Sequence, residues 1–175
     1  FEMTGADSTF ANSGIYMEPY FVSRIEDKNG VVIETFTNSP KEILSEDKNI
    51  VMVKLLQGVI NRGSGSRLRW KYKMNNEIAG KTGTTQNHSD GWFIGFVPDL
   101  VTGVWTGADN RAVRFRDLKL GQGAQMALPI WGEYMNSLYS DSLIELNKAR
   151  FEIPKNSNNI TLDCSDKTQI ENEEF

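Results

Sequence analysis

The sequence predicts an α/β chain of the α+β type, an antiparallel sheet backed by helices. Three observations predict it. Residues 78–85, 91–97 and 100–107 are β-branched and aromatic, and no helix-length crossover separates them, so neighbouring strands must run antiparallel. Residues 45–63 and about 124–140 repeat apolar side chains at helical spacing. Asn29-Gly30 sits between two further strand-like stretches, where it predicts a hairpin.

Taken in order, residues 1–12 are small and apolar with helical spacing, and Gly14 is placed to stop them. They read as the last turns of a helix. Residues 20–26 and 31–36 form the hairpin strands, with Asp27-Lys28-Asn29-Gly30 as the turn. Ser45 is placed to cap the next helix, and Glu46 and Asp47 fall in its first turn, where the dipole favours them. Ile50, Val53, Leu56 and Val59 recur at three-residue steps, Leu55 widens the stripe, and Gly63 ends it. Residues 63–66 read as a loop, and residues 67–73 as a basic aromatic patch. Pro98-Asp99 is a tight turn between the last two strands. A polar loop over 109–123 leads to the final helix. Pro129 lies near its first turns, and Met126, Ile130, Tyr134 and Leu138 supply its apolar face. Residues 155–175 carry two Lys against five Asp or Glu and are expected to be a loosely ordered tail. No internal repeat occurs.

Composition narrows the function classes. The 175 residues are 39% hydrophobic and 24% charged, which suits one globular domain. No apolar run approaches the ~18 residues that a spanning helix needs. The first residue is Phe1 and no charged-then-apolar leader follows it, so the chain is expected to be an excised piece. Nineteen Lys and Arg against 23 Asp and Glu give a net charge of −4, which argues against a nucleic-acid module. The patch over 67–73 is therefore expected to be a solvated loop, not a nucleic-acid or membrane-surface site. One His and one Cys are too few for a His/Cys zinc site. Cys164 cannot form an internal disulfide, and any Ser-His-Asp triad would have to use His88.

The chemistry is concentrated in Ala79-Gly80-Lys81-Thr82-Gly83-Thr84-Thr85. A P-loop ends in Gly-Lys-Thr but needs a Gly five residues before that ending, where Asn75 stands, and a helix from the Lys onward. Thr82-Gly83-Thr84-Thr85 is a poor helix start, so the P-loop reading fails. On a strand, by contrast, Thr82 and Thr84 share a face, and both hydroxyls could reach one carboxylate. Lys81 adds positive charge, and Gly83 allows close backbone approach.

Lys-Thr-Gly, with the flanking run AGKTGTTQNHSDGWFIGFVPDLVTGVWTGAD, resembles the C-terminal part of the transpeptidase domain of class A penicillin-binding proteins. STFANSGIYMEPYFVSRIED, LLQGVINRGSGSRLR and GQGAQMALPIWGEYM resemble that family's flanking segments in the same order. The resemblance covers residues 1 to about 140. It implies a partial penicillin-binding transpeptidase, or serine β-lactamase-like, fold. Residues 1–150 would be the C-terminal portion of that domain and 151–175 a polar tail. It implies acyl transfer from a D-alanyl-D-alanine stem peptide through a serine ester, acylation of the same serine by β-lactams, and no metal or organic cofactor. Lys81, Thr82, Gly83 and Thr84 would bind substrate. Lys81 would polarise the serine of a Ser-x-Asn motif and hold the substrate carboxylate. The Thr84 backbone N–H would be half of the oxyanion hole. The parent would be a bifunctional peptidoglycan synthase, with a membrane anchor and a glycosyltransferase domain, acting at the outer face of the cytoplasmic membrane.

The family also needs Ser-x-x-Lys and Ser-x-Asn before Lys-Thr-Gly. Ser45-Glu46-Asp47-Lys48 matches the first in letters, but the two carboxylates beside Ser45 disfavour an alkoxide, and Lys81 follows too soon. Ser157-Asn158-Asn159 matches the second only after Lys-Thr-Gly. The nucleophile is therefore expected upstream of Phe1, and the upstream half of the domain is the expected partner. A serine β-lactamase or D,D-carboxypeptidase, or a non-catalytic scaffold of the same fold, are the alternatives. His88 and Ser89 are adjacent and should point apart, leaving His88 at the site rim. Asp90 is placed to order the loop after the strand, and Trp92 and Phe93 are expected in the core. Asn87-His88-Ser89 and Asn159-Ile160-Thr161 are chance sequons.

Overall fold

The computed structural model describes residues 1–144, 146 and 150–154. The polar tail from 155 onward, with Ser157-Asn158-Asn159, the second sequon and Cys164, lies outside the described residues. Along the chain come α1 (Glu2–Ala11), β1 (Ile15–Tyr16), β2 (Arg24–Glu26), β3 (Val32–Thr35), β4 (Lys41–Glu42), α2 (Glu46–Arg62), α3 (Arg67–Trp70), β5 (Ala79–Thr84), β6 (Gly91–Val97), β7 (Leu100–Thr106), α4 (Leu118–Gly121) and α5 (Ala127–Ser140). The predicted antiparallel sheet is β5-β6-β7, and β2-β3 and β1-β4 form two small antiparallel pairs.

Helices cover both faces of the main sheet, which is why β6 is buried along nearly its whole length. On one face Ile78, Phe93 and Val97 pack with Leu68 and Tyr72 and with Leu128, Trp131 and Met135 of α5. Phe93 meets Trp131 edge-on at 5.3 Å. On the other face Ala79 and Phe96 pack with Ile50 and Val53 of α2 and with Phe151. Phe96 and Phe151 stack edge-on at 5.6 Å, so Phe151, the first residue of the expected tail segment, sits in the core.

Several local readings change in three dimensions. The α5 stripe is rotated: Ile130 and Tyr134 are exposed, while Leu128, Trp131 and Met135 are buried. Large Trp131 fills the space over Phe93, and the helix turns to suit it. Leu55 points to solvent and does not widen the α2 stripe. The basic patch is not a loop. Residues 67–70 are helical, and Arg69 donates to Asn61 Oδ1 and to the carbonyls of Met74 and Asn76. The hairpin strands start at Arg24, later than predicted, and both are exposed. In their turn only Gly30 takes positive φ, +83°. Gly30 N–H donates to Asp27 O, and Asp27 Oδ1 accepts from Asn29 and Val31 N–H, a type I turn with a left-handed glycine. Gly14 ends the α1 segment at φ +89°, where any Cβ would strike the Leu44 carbonyl.

Candidate functional site

Strand β5 carries the Lys-Thr-Gly motif at the edge of the sheet, with β6 as its single neighbour among the described residues. Thr85 N–H donates to Asp90 O at 3.1 Å. In the β5-β6 register, Gly83↔Trp92 and Lys81↔Ile94 are therefore hydrogen-bonded pairs, and Thr84↔Gly91 and Thr82↔Phe93 are not. Thr82 and Thr84 thus turn their N–H and C=O groups away from β6, toward the open edge. Lys81 Nζ already donates to the outward-turned Thr82 carbonyl at 2.8 Å.

The side chains alternate as the sequence requires. Lys81 and Gly83, with Trp92 and Ile94, line a cavity of about 560 Å³ against Met3 and Asp7 of α1 and Met52 and Leu56 of α2. Burial raises the Asp7 pKa above its ordinary value. On the opposite face Thr82 Oγ1 and Ser64 Oγ share a hydrogen bond of 2.7 Å, and Thr84 Oγ1 accepts the Gly123 N–H at 3.0 Å. Accepting that bond leaves the Thr84 hydroxyl proton free for an anionic ligand. Ser64 and Gly123 escape sequence reasoning because they lie 18 and 39 residues from their partners. No local pattern marks them.

After β5 the chain makes a single 3₁₀ turn, Gln86–His88, with Asn87 and His88 both in the left-handed region. Asp90 orders this loop, as its position suggests. Its Oδ2 accepts from the Thr85 hydroxyl at 2.8 Å and the Ser89 hydroxyl at 3.0 Å, and its Oδ1 accepts from Trp105 Nε1 at 3.3 Å. Arg111 Nη2 lies 3.6 Å away. The Thr85 and Ser89 hydroxyls, then the Trp105 indole and the Arg111 charge, hold the Asp90 carboxyl below its ordinary pKa. His88 and Ser89 line the same cavity, but the Ser89 hydroxyl donates to Asp90 Oδ2 and His88 Nδ1 has no hydrogen-bond partner among the described residues, so the two do not form a catalytic pair. Phe93 is in the core. Trp92, expected there too, is 37% exposed and leans on Trp105 at 6.4 Å.

Ser45 precedes α2 in extended conformation, but its hydroxyl makes no bond to the helix. Ser64, which follows α2, is the residue that touches Thr82. The 17-residue helix between them is about 25 Å long at 1.5 Å per residue. Ser45 and Ser64 therefore stand at opposite ends of α2, and Ser45 is not among the residues that line the Lys81 cavity. Among the described residues no helix is long and apolar enough to cross a membrane, and no cluster of His, Cys, Asp and Glu could hold a metal ion.

Residues 1–111 match the family model described as the penicillin binding protein transpeptidase domain. Penicillin-binding protein 1A of Aquifex aeolicus is 37% identical over 134 residues, covering 77% of this chain and 18% of the relative. Penicillin-binding protein 1A of Pseudomonas aeruginosa is 31% identical over 190 residues, covering 80% of this chain and 22% of the relative. The chain thus spans about a fifth of the length of the curated relatives it matches. The crystal structure of penicillin-binding protein 1A from Haemophilus influenzae shares the fold with a TM-score of 0.73 at 23% identity, covering 88% of this chain and 28% of that one. The imipenem acyl-enzyme complex of penicillin-binding protein A from M. tuberculosis matches with a TM-score of 0.56 at 23% identity, covering 77% and 30%.

Proposed function

The chain belongs to the penicillin-binding transpeptidase family, and from that premise we propose that it forms the Lys-Thr-Gly wall of a serine D,D-transpeptidase that cross-links peptidoglycan stem peptides. The observation that carries the reading is the register of β5. It leaves the Thr82 and Thr84 N–H and C=O groups on an open strand edge, beside the Lys81 ammonium. An extended D-alanyl-D-alanine peptide can add to that edge as a further strand. Its terminal carboxylate meets Lys81 and the Thr82 and Thr84 hydroxyls, and the Thr84 N–H is half of the oxyanion hole.

Residues 1–150 act as the C-terminal portion of the domain, and the nucleophilic serine lies outside residues 1–175. Two features support this. The single Ser-x-x-Lys, at Ser45, is no part of the Lys81 cavity, and the face of β5 that carries Lys81 opens on that cavity between α1 and α2. The remainder of the domain, with its serine, closes that cavity. The whole protein then works at the outer face of the cytoplasmic membrane on peptidoglycan, and β-lactams acylate the same serine.

The test is labelled penicillin on the full-length protein, on its Lys81→Ala variant and on the isolated 175-residue chain. Lys81→Ala should slow acylation about 100-fold, the scale of losing one preorganised electrostatic contact. The isolated chain should form no adduct. Acylation of the variant at the parent rate, or an adduct on Ser45, would overturn the proposal.

A further inference from the structure

Residues 111–119 hold four cations, Arg111, Arg114, Arg116 and Lys119, and one carboxylate, in a chain of net charge −4. The segment is ordered by its own bonds. Asn110 Oδ1 accepts from Ala112 N–H at 2.9 Å, and Asp117 caps α4 by accepting from Leu120 N–H at 3.1 Å. Gly121 lets α4 settle onto the post-motif loop, since a Cβ there would collide with the His88 Cβ and lie 3.1 Å from the Phe115 Cβ.

The fold of this segment over the loop encloses a second cavity of about 560 Å³, within the range of small-ligand pockets. Val113, Phe115, Leu120 and Met126 give it an apolar lining, and His88 and Arg114 supply polar groups. Arg114 also borders an adjoining polar cavity with Arg111, Gln86 and Asn87. His88 Nδ1 is buried with no hydrogen-bond partner among the described residues. Asn87 and His88 hold φ of 60° and 59°, a costly conformation that clusters at functional sites. The cavity adjoins the motif strand twice. The 85–90 loop joins it to Thr84, and Gln125, two residues after the Gly123 bonded to Thr84, lines it.

We propose that this cavity is a carboxylate-binding subsite for the amine acyl acceptor, with Arg114 as the anion-binding group and the apolar lining as the side-chain pocket. The proposal rests on the transpeptidase reading for its place in the reaction. A guanidinium fork matches a carboxylate in two bonds, and the apolar lining selects an organic anion over an inorganic one. The acceptor class is thus an amino acid or peptide with a free amine, a nearby carboxylate and an apolar side chain. In the transfer the serine ester C–O bond breaks, the C–N bond forms, and the amine proton passes to the serine oxygen. The subsite only holds the acceptor.

The test uses the full-length protein with a pentapeptide donor ending in D-alanyl-D-alanine and two acceptors, D-leucine and D-leucinamide. The wild type should show a KM about tenfold lower for D-leucine, the scale of one charge-assisted hydrogen bond. Arg114→Gln should collapse that ratio to near one. Equal KM values in the wild type, transfer to neither acceptor by a protein that penicillin does acylate, or an unchanged ratio in Arg114→Gln, would overturn the subsite. If Arg114→Gln fails to fold, the wild-type ratio alone decides. Absence of a penicillin adduct on the full-length protein would instead count against the transpeptidase reading. D-Leucine line broadening in NMR, lost with D-leucinamide, then reads the subsite directly, and its absence would overturn it.

Discussion

Gly123 links packing to the candidate site, and Gly123→Ala measures that link. A Cβ at this position would overlap the backbone oxygens of Gly83 and Trp92 and lie 3.1 Å from Trp92 N. All three atoms belong to the β5-β6 ladder, so none can rotate aside as a flexible side chain would. The 122–126 segment must lift from the sheet, and the Gly123 N–H to Thr84 Oγ1 bond of 3.0 Å is lost. Overpacking of this kind costs roughly 1–3 kcal/mol, and the bond adds about 1 kcal/mol. At 2–4 °C per kcal/mol for a chain of this size, Tm should fall on the order of 10 °C. Gly58→Ala is the matched control. Its Cβ meets nothing within 4 Å, and it lies inside α2, so it should stabilise by about 0.5–1 kcal/mol. Thermal unfolding followed by circular dichroism, with amide exchange at residue 123, checks both. A Gly123→Ala melt within 2 °C of the parent, with that amide still protected, would refute the close-approach argument.

Two further predictions concern protons. Asp90 has a lowered pKa through its Thr85 and Ser89 hydrogen bonds and its further partners, so its stabilising contribution is complete above the ordinary carboxylate value near 4 and is lost as pH falls through the lower folded value. Asp90→Asn should therefore flatten the acid limb of urea unfolding measured between pH 5 and 2, and an unchanged limb would contradict the assignment. Asp7 has the opposite sign: burial raises its pKa, so the folded state favours the protonated form and loses stability as pH rises. Asp7→Asn should raise Tm at pH 7 and leave it unchanged at pH 3, and an equal gain at both would show that charge is not the cause.

Much of this molecule is legible along the chain because its signals are local. The strands of β5-β6-β7 follow from β-branched runs and short turns, and the Thr82/Thr84 alternation follows from the two-residue period of a strand. The Lys-Thr-Gly motif with its flanks points to the family before any coordinate is known. Where the local signal is even-handed, the reading slips. Residues 126, 130, 134 and 138 and residues 128, 131 and 135 both make a helical stripe on α5. Trp131, whose bulk must fill the space over Phe93, decides between them.

The sequence by itself determined the antiparallel sheet, the motif and the family. The tertiary structure alone decided what surrounds the motif. It set Ser64 on Thr82 and Gly123 on Thr84, left Ser45 outside the Lys81 cavity, and folded the arginine-rich segment over His88. The physical reason is range. Backbone periodicity and turn chemistry act over a few residues, whereas these contacts join positions many residues apart, and the packing of helices on both faces of the sheet fixes them.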